Sequence, residues 1–85
     1  MKCEICNFNR YIERCHIIPK RLGGSNDESN ILYLCPNHHK LLDYMLLNQE
    51  EFVSIENKII KLLKGAYKRE SESQYLYLLR LLKLK

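Results

Sequence analysis

The stretch CHIIPKRLGGSNDESNILYLCPNHHKLLD, residues 15–43, changes character three times. Tyr11-Ile12 and Ile17-Ile18 are short apolar runs stopped by Pro19, as expected of a strand. Gly23 to Asn30 is Gly, Ser, Asn, Asp and Glu throughout, which is loop chemistry, and Gly23-Gly24 predicts backbone with positive φ where the chain reverses. Ile31-Leu32-Tyr33-Leu34 reads as a second short strand. Pro36 suits the first residue of a helix, where its missing N–H has no partner to lose. That helix is expected to run to about Leu47, with Leu41, Leu42, Met45 and Leu46 facing inward. Two strands closed by a loop and followed by a helix make an α+β module.

Outward from this stretch, metal-ligand residue types stand in pairs. Cys3 and Cys6 form a CxxC before it, and Cys35 and His38 a CxxH inside it. A chain of 85 residues has room for little more than one small core, and such cores seldom suffice without a staple. The cysteines fit a disulfide framework in a secreted chain or zinc ligands in a reducing compartment. Met1-Lys2 leads into Cys3 with no apolar stretch of an export signal, and no apolar run approaches a membrane span, so a cytoplasmic setting is expected. A lone CxxC could be redox-active. A CxxC joined by a separate CxxH instead predicts a structural Zn²⁺ held by Cys3, Cys6, Cys35 and His38, because two tight turns each bring a ligand pair to a tetrahedron with little strain.

From Tyr44 onward the chain turns to Leu, Ile, Lys and Glu. A zinc-stapled module, residues 1–47, and a C-terminal extension of two helices, residues 48–85, are therefore expected. Asn48 followed by Glu51 resembles a capping box, and Phe52, Ile55, Ile59, Leu62 and Leu63 continue at helical spacing towards an end at Gly65. After the polar link Lys68-Arg69-Glu70, Ser71 with Gln74 caps a last helix through Tyr75, Leu78, Leu79 and Leu82. Its leucines occupy more than one face, so homodimerisation through the C-terminal helices is expected. Tyr67, Tyr75 and Tyr77 read as core or interface residues, with base stacking as the alternative. The formal net charge is +4, and all the excess lies after residue 50. A solvated helix face and contact with a phosphate backbone both account for it.

Once zinc has taken His38, three residues remain in the order His16, Asn30, His39. The run His-Ile-Ile-Pro, then Gly-Gly, then Asp-x-x-Asn-Ile, then Leu-Cys-x-x-His-His resembles the core of the HNH endonuclease family, whose fold is a β-hairpin clamped on a helix around one metal ion. The resemblance covers Cys3 to Asp43. A lone His on a strand is ordinarily structural, but the resemblance implies that His16 is the general base. An imidazole, mostly neutral at physiological pH, suits that task. Asn30 ends the loop before the second strand, where its amide can bond across the hairpin to the backbone or ring of His16, or close the turn through an Asx-type bond. His39 and Asp43, one turn apart, project from one helix face and can hold a divalent cation, Mg²⁺, Mn²⁺, Zn²⁺ or Ni²⁺. Asp43 pairing with Lys40 or Lys68 is the alternative.

Lys20 and Arg21 could grip the phosphates of nucleic acid, double-stranded DNA above all, or be a solvated loop pair. Cys15 departs from the family, which places Asp or His there as a ligand of the catalytic ion. A thiolate is a poor ligand for Mg²⁺ and a good one for softer ions. Three readings stay open: Cys15 packs, or it ligates a soft ion, or the site is degenerate and the chain binds nucleic acid or a protein partner without cutting.

Overall fold

The computed structural model describes residues 1–82 and has the expected α+β architecture. Strands β1 (Glu13–His16) and β2 (Ile31–Leu34) form a two-stranded antiparallel sheet in which Glu13 faces Leu34 and His16 faces Ile31. Helices α1 (Pro36–Asp43), α2 (Gln49–Val53), α3 (Glu56–Lys68) and α4 (Glu72–Leu82) follow. Strand β1 lies between the two apolar runs, Tyr11-Ile12 and Ile17-Ile18, and includes neither. Ile17 and Ile18 are buried, but beyond Ile17, whose N–H donates to the Asn30 carbonyl at 2.9 Å, the Ile18 backbone is bonded by the Asn30 side chain instead of by a strand neighbour. On the outer edge of β2, the Glu4 N–H donates to the Tyr33 carbonyl and the Tyr33 N–H donates to the Glu4 carboxylate at 2.7 Å. The N-terminal knuckle thus covers an edge that would otherwise be open.

The loop between the strands uses its two glycines differently. Gly23 has φ of 83° and closes the helical turn Lys20–Leu22, as expected. Gly24 has no positive φ; its requirement is space, because a Cβ there would lie 1.8 Å from the Ile18 carbonyl oxygen.

Three helix boundaries differ from expectation. Helix α1 stops at Asp43 rather than near Leu47, because Tyr44 and Met45 form a Schellman end: the Leu46 N–H bonds the Leu41 carbonyl and the Met45 N–H bonds that of Leu42, with Met45 at φ 56°. Leu46, expected to face inward, is exposed as a result, while Leu47 is buried. The capping box at Asn48 and Glu51 forms, but the helix it starts ends at Val53, and a separate helix, α3, begins at Glu56. Gly65 lies inside α3, which ends in a second Schellman turn at Glu70, φ 55°, where the Ser71 N–H reaches the Ala66 carbonyl. Gln74 does not complete a cap for α4. Its amide is buried, donating to the Leu22 carbonyl and accepting from Arg69.

One hydrophobic cluster runs through the whole described chain, joining Cys15, Ile17, Leu32 and Leu42 to Phe52, Ile55, Ile59, Leu78 and Leu81. Helices α3 and α4 pack on each other, and α3 lies against the turn before β2, where Lys58 donates to the Ile31 carbonyl at 2.7 Å. Among the described residues no helix is long and apolar enough to cross a membrane. Residues 83–85 of the predicted extension lie outside the described residues.

Candidate metal centre and active-site cleft

The two knuckles meet. Cys3, Cys6, Cys35 and His38 bring one ligand atom each to within 4.8 Å of one another, the only such group of three or more His, Cys, Asp or Glu among the described residues. Cys6 Sγ and Cys35 Sγ are 3.8 Å apart, Cys3 Sγ is 3.7 Å from His38 Nδ1, and Cys35 Sγ is 3.3 Å from it. Zinc–sulfur bonds of about 2.3 Å set tetrahedron edges of about 3.8 Å, so these separations suit one ion and are too long for a disulfide. The four residues therefore form a group that could hold a structural zinc.

Local structure prepares the ligands. Burial alone would raise the pKa of Cys3, but the backbone N–H groups of Cys35, Cys6 and Ile5 bring it down to about 6, favouring the thiolate that a metal requires. Cys35 sits at the N-cap of α1 and accepts the His38 N–H. His38 turns Nδ1 to the sulfurs and Nε2 to the Glu51 carboxylate at 2.7 Å. Burial disfavours the His38 cation, yet Glu51 and the neighbouring cysteines hold its pKa above the usual histidine range.

A second set of polar side chains lines a cleft of about 360 Å³ between the hairpin, α1 and α4, including His16, Arg21, His39, Asp43 and Tyr77. His16 closes β1 and its Nε2 lies 2.8 Å from Asn26 Oδ1, so the ring donates from Nε2 and leaves Nδ1 free to accept a proton. Arg14 in turn donates to the Asn26 carbonyl at 3.0 Å and braces that loop. His39 Nδ1 lies 2.7 Å from Glu13 Oε1, and its Nε2 is 3.4 Å from Asp43 Oδ2. A carboxylate behind the ring and another in front is an arrangement often found around metal-ligating histidines. Arg21 lines the cleft, whereas Lys20 is exposed on the same turn and does not.

Asn30 does not reach His16. Its buried amide accepts the Ile18 N–H at 2.8 Å and donates to the Ile18 and Ser25 carbonyls at 3.1 and 2.8 Å, tying both ends of the loop together. Asn30→Ala leaves those groups without partners, at about 1–3 kcal/mol for each that stays dry. A loss of about 3 kcal/mol in urea unfolding is expected, and an unchanged midpoint would contradict it.

With this geometry in hand, comparison with known families matches residues 3–47, more than half of the 85, to the HNH endonuclease family. The chain belongs to that family. HNH domains are nuclease-like and act on nucleic acid, and the matched span contains both knuckles, the hairpin and α1. No curated protein and no solved structure gave a match.

Against the HNH pattern, Cys15 is the departure, and it lies buried at the wall of the same cleft as His16, His39 and Asp43. It is 1% exposed, and burial first, then the Glu13 and Asp43 carboxylates, push its thiol up to about 12. Its Sγ donates to the Glu13 carbonyl at 3.4 Å. In zinc-loaded protein at pH 8, iodoacetamide is expected to leave Cys15 unmodified by mass spectrometry. Alkylation as fast as that of a free thiol would contradict this environment.

The sequence does not point to Glu13, Asn26 or the His38-facing role of Glu51, and offers Tyr77 only as a core or interface residue or a base-stacking one, not as part of this cleft. Glu13 had a signal, since a residue two before Cys15 on a strand shares its face. Glu51 was recognised only as a cap. Asn26 lies in a loop of irregular geometry, and Tyr77 arrives from a distant helix, so nothing local marked either.

Proposed function

We propose that this HNH protein is a metal-dependent endonuclease that hydrolyses phosphodiester bonds of nucleic acid, double-stranded DNA in particular. The observation carrying this reading is that His16, whose Nδ1 has no hydrogen-bond partner among the described residues, faces the same cleft as His39, Asp43 and Arg21. His16 takes the proton of the attacking water at Nδ1, while Asn26 holds Nε2 and so fixes ring and tautomer. Asn30 contributes by locking the hairpin loop on which His16 stands.

His39 Nε2 and Asp43 would hold a divalent cation, with Glu13 fixing the His39 ring. Bound there, such an ion neutralises the phosphate and stabilises the departing oxygen. Two protein ligands completed by water and phosphate match the way Mg²⁺ is usually bound in phosphate-processing sites. Cys15, neutral and buried, serves as a packing residue under the site rather than as a ligand. Arg21 and Tyr77, which line the cleft, face the substrate backbone, and Lys20, exposed on the same turn as Arg21, adds positive charge beside them. Helices α2 to α4 act as the scaffold that closes the cleft through Tyr77 of α4, and exposed Tyr67 and Leu76 support pairing with a second copy.

A second reading, a zinc module that binds nucleic acid or a protein partner without cutting, is favoured by Cys15, a buried neutral thiol where the HNH pattern has a carboxylate or imidazole. Nicking of supercoiled plasmid with Mg²⁺, Mn²⁺, Ni²⁺ or Zn²⁺ decides between them. Salt-sensitive DNA binding with no nicking in any metal favours the second.

A further inference from the structure

The geometry points to Glu51 as the residue that positions His38 for zinc, which makes the start of the C-terminal extension part of the metal centre. This rests on the reading of Cys3, Cys6, Cys35 and His38 as a zinc site. One Glu51 carboxylate does two things: Oε1 accepts the Asn48 N–H at 3.0 Å and completes the capping box of α2, while Oε2 stands 2.7 Å from His38 Nε2. The Asn48 side chain returns the bond, accepting the Glu51 N–H at 2.8 Å. A carboxylate anchored at its own helix N-terminus is thus aimed at the one ring nitrogen that does not face the sulfurs.

A histidine that ligates through Nδ1 must carry its proton on Nε2, and that proton needs an acceptor because His38 is buried. Glu51 is that acceptor. It selects the ligating tautomer, restrains the ring and raises the basicity of Nδ1. Zinc bound by the first 38 residues and folding of α2 therefore favour one another, since each side of the 2.7 Å contact is ordered by the other.

The test is a double-mutant cycle on the full chain, read as zinc affinity in competition with a chromogenic chelator. Glu51→Gln keeps a side chain that still suits a capping box while removing the charge. It is expected to weaken zinc binding about 10- to 100-fold. In the His38→Cys background, where the ligand has no second nitrogen to support, the same change is expected to cost less than about threefold, because the two sites no longer couple. Nitrogen NMR of the zinc-loaded wild type is expected to show His38 protonated at Nε2. Equal losses in both backgrounds would overturn the proposal, since Glu51 would then act only through the helix, and so would unchanged affinity for Glu51→Gln. A wild-type chain that binds no zinc would instead sink the zinc site itself, and this role with it.

Discussion

Stripping the zinc with a strong chelator is expected to unfold the chain from Cys3 to at least Leu47, with loss of most helical circular dichroism and of the cooperative melting transition. The ligands join the chain's start, the end of β2 and the first turn of α1, so the ion closes a loop spanning the hairpin. Structural zinc sites have apparent binding free energies of about 10–16 kcal/mol. Net stabilities of whole domains are about 5–15 kcal/mol, so a core this small is left with little once the ion is gone. Because the hydrophobic cluster runs from Cys15 through Phe52 to Leu81, α2 to α4 are expected to lose their packing in the same transition. Acid should act in the same direction, because thiolates and a neutral imidazole bind zinc and their protonated forms do not. A spectrum and melting temperature unchanged by chelation would contradict the staple.

The second large effect is chemical. Replacing His16 by alanine is expected to lower the single-turnover rate of DNA cleavage by about 10²–10⁴-fold, the range typical of removing a positioned general base. Stability should barely move, because the His16 ring is half-exposed and its bonded partner is the exposed amide of Asn26. Zinc content should not change either, since His16 is not among the zinc ligands. A variant that keeps its melting temperature and zinc but cleaves at the wild-type rate would remove His16 from the mechanism.

The hairpin, α1, the knuckle residues and the capping box at Asn48 were legible because each rests on local chemistry: turn residues, proline at a helix start, ligand pairs at fixed spacing. The helix ends were not. Both αL positions that terminate α1 and α3 are filled by Met45 and Glu70 rather than glycine, so the usual stop signal is missing. Gly65, which carries that signal, is tolerated inside α3. The one helix expected after Asn48 is likewise two, with Phe52 and Ile55 on either side of the break both buried in the hydrophobic cluster.

The cleft was half legible. His16, His39 and Asp43 could be named because the run from His16 to Asp43 resembles the HNH core, whereas the residues that aim them could not. Asn30 was expected to bond the backbone or ring of His16 or to close the turn; it bonds the Ile18 backbone and the Ser25 carbonyl, while Asn26, four residues earlier, takes the ring. Both are asparagines in the same polar loop, and only the path of that loop distinguishes them. Tyr77 shows the general difficulty: it reaches the cleft through the packing of α4, which no local pattern encodes.

The central claim is that the His16 cleft cuts nucleic acid with a divalent ion, and plasmid nicking by zinc-loaded protein tests it most directly. Supercoiled DNA is incubated with wild-type and His16→Ala protein, each with and without added Mg²⁺, Mn²⁺ or Ni²⁺. The account predicts open-circular product from the wild type in at least one of these metals, little without added ion, and at least about a hundredfold less from the variant. Equal nicking by both proteins, or none by the wild type in any metal, would contradict it.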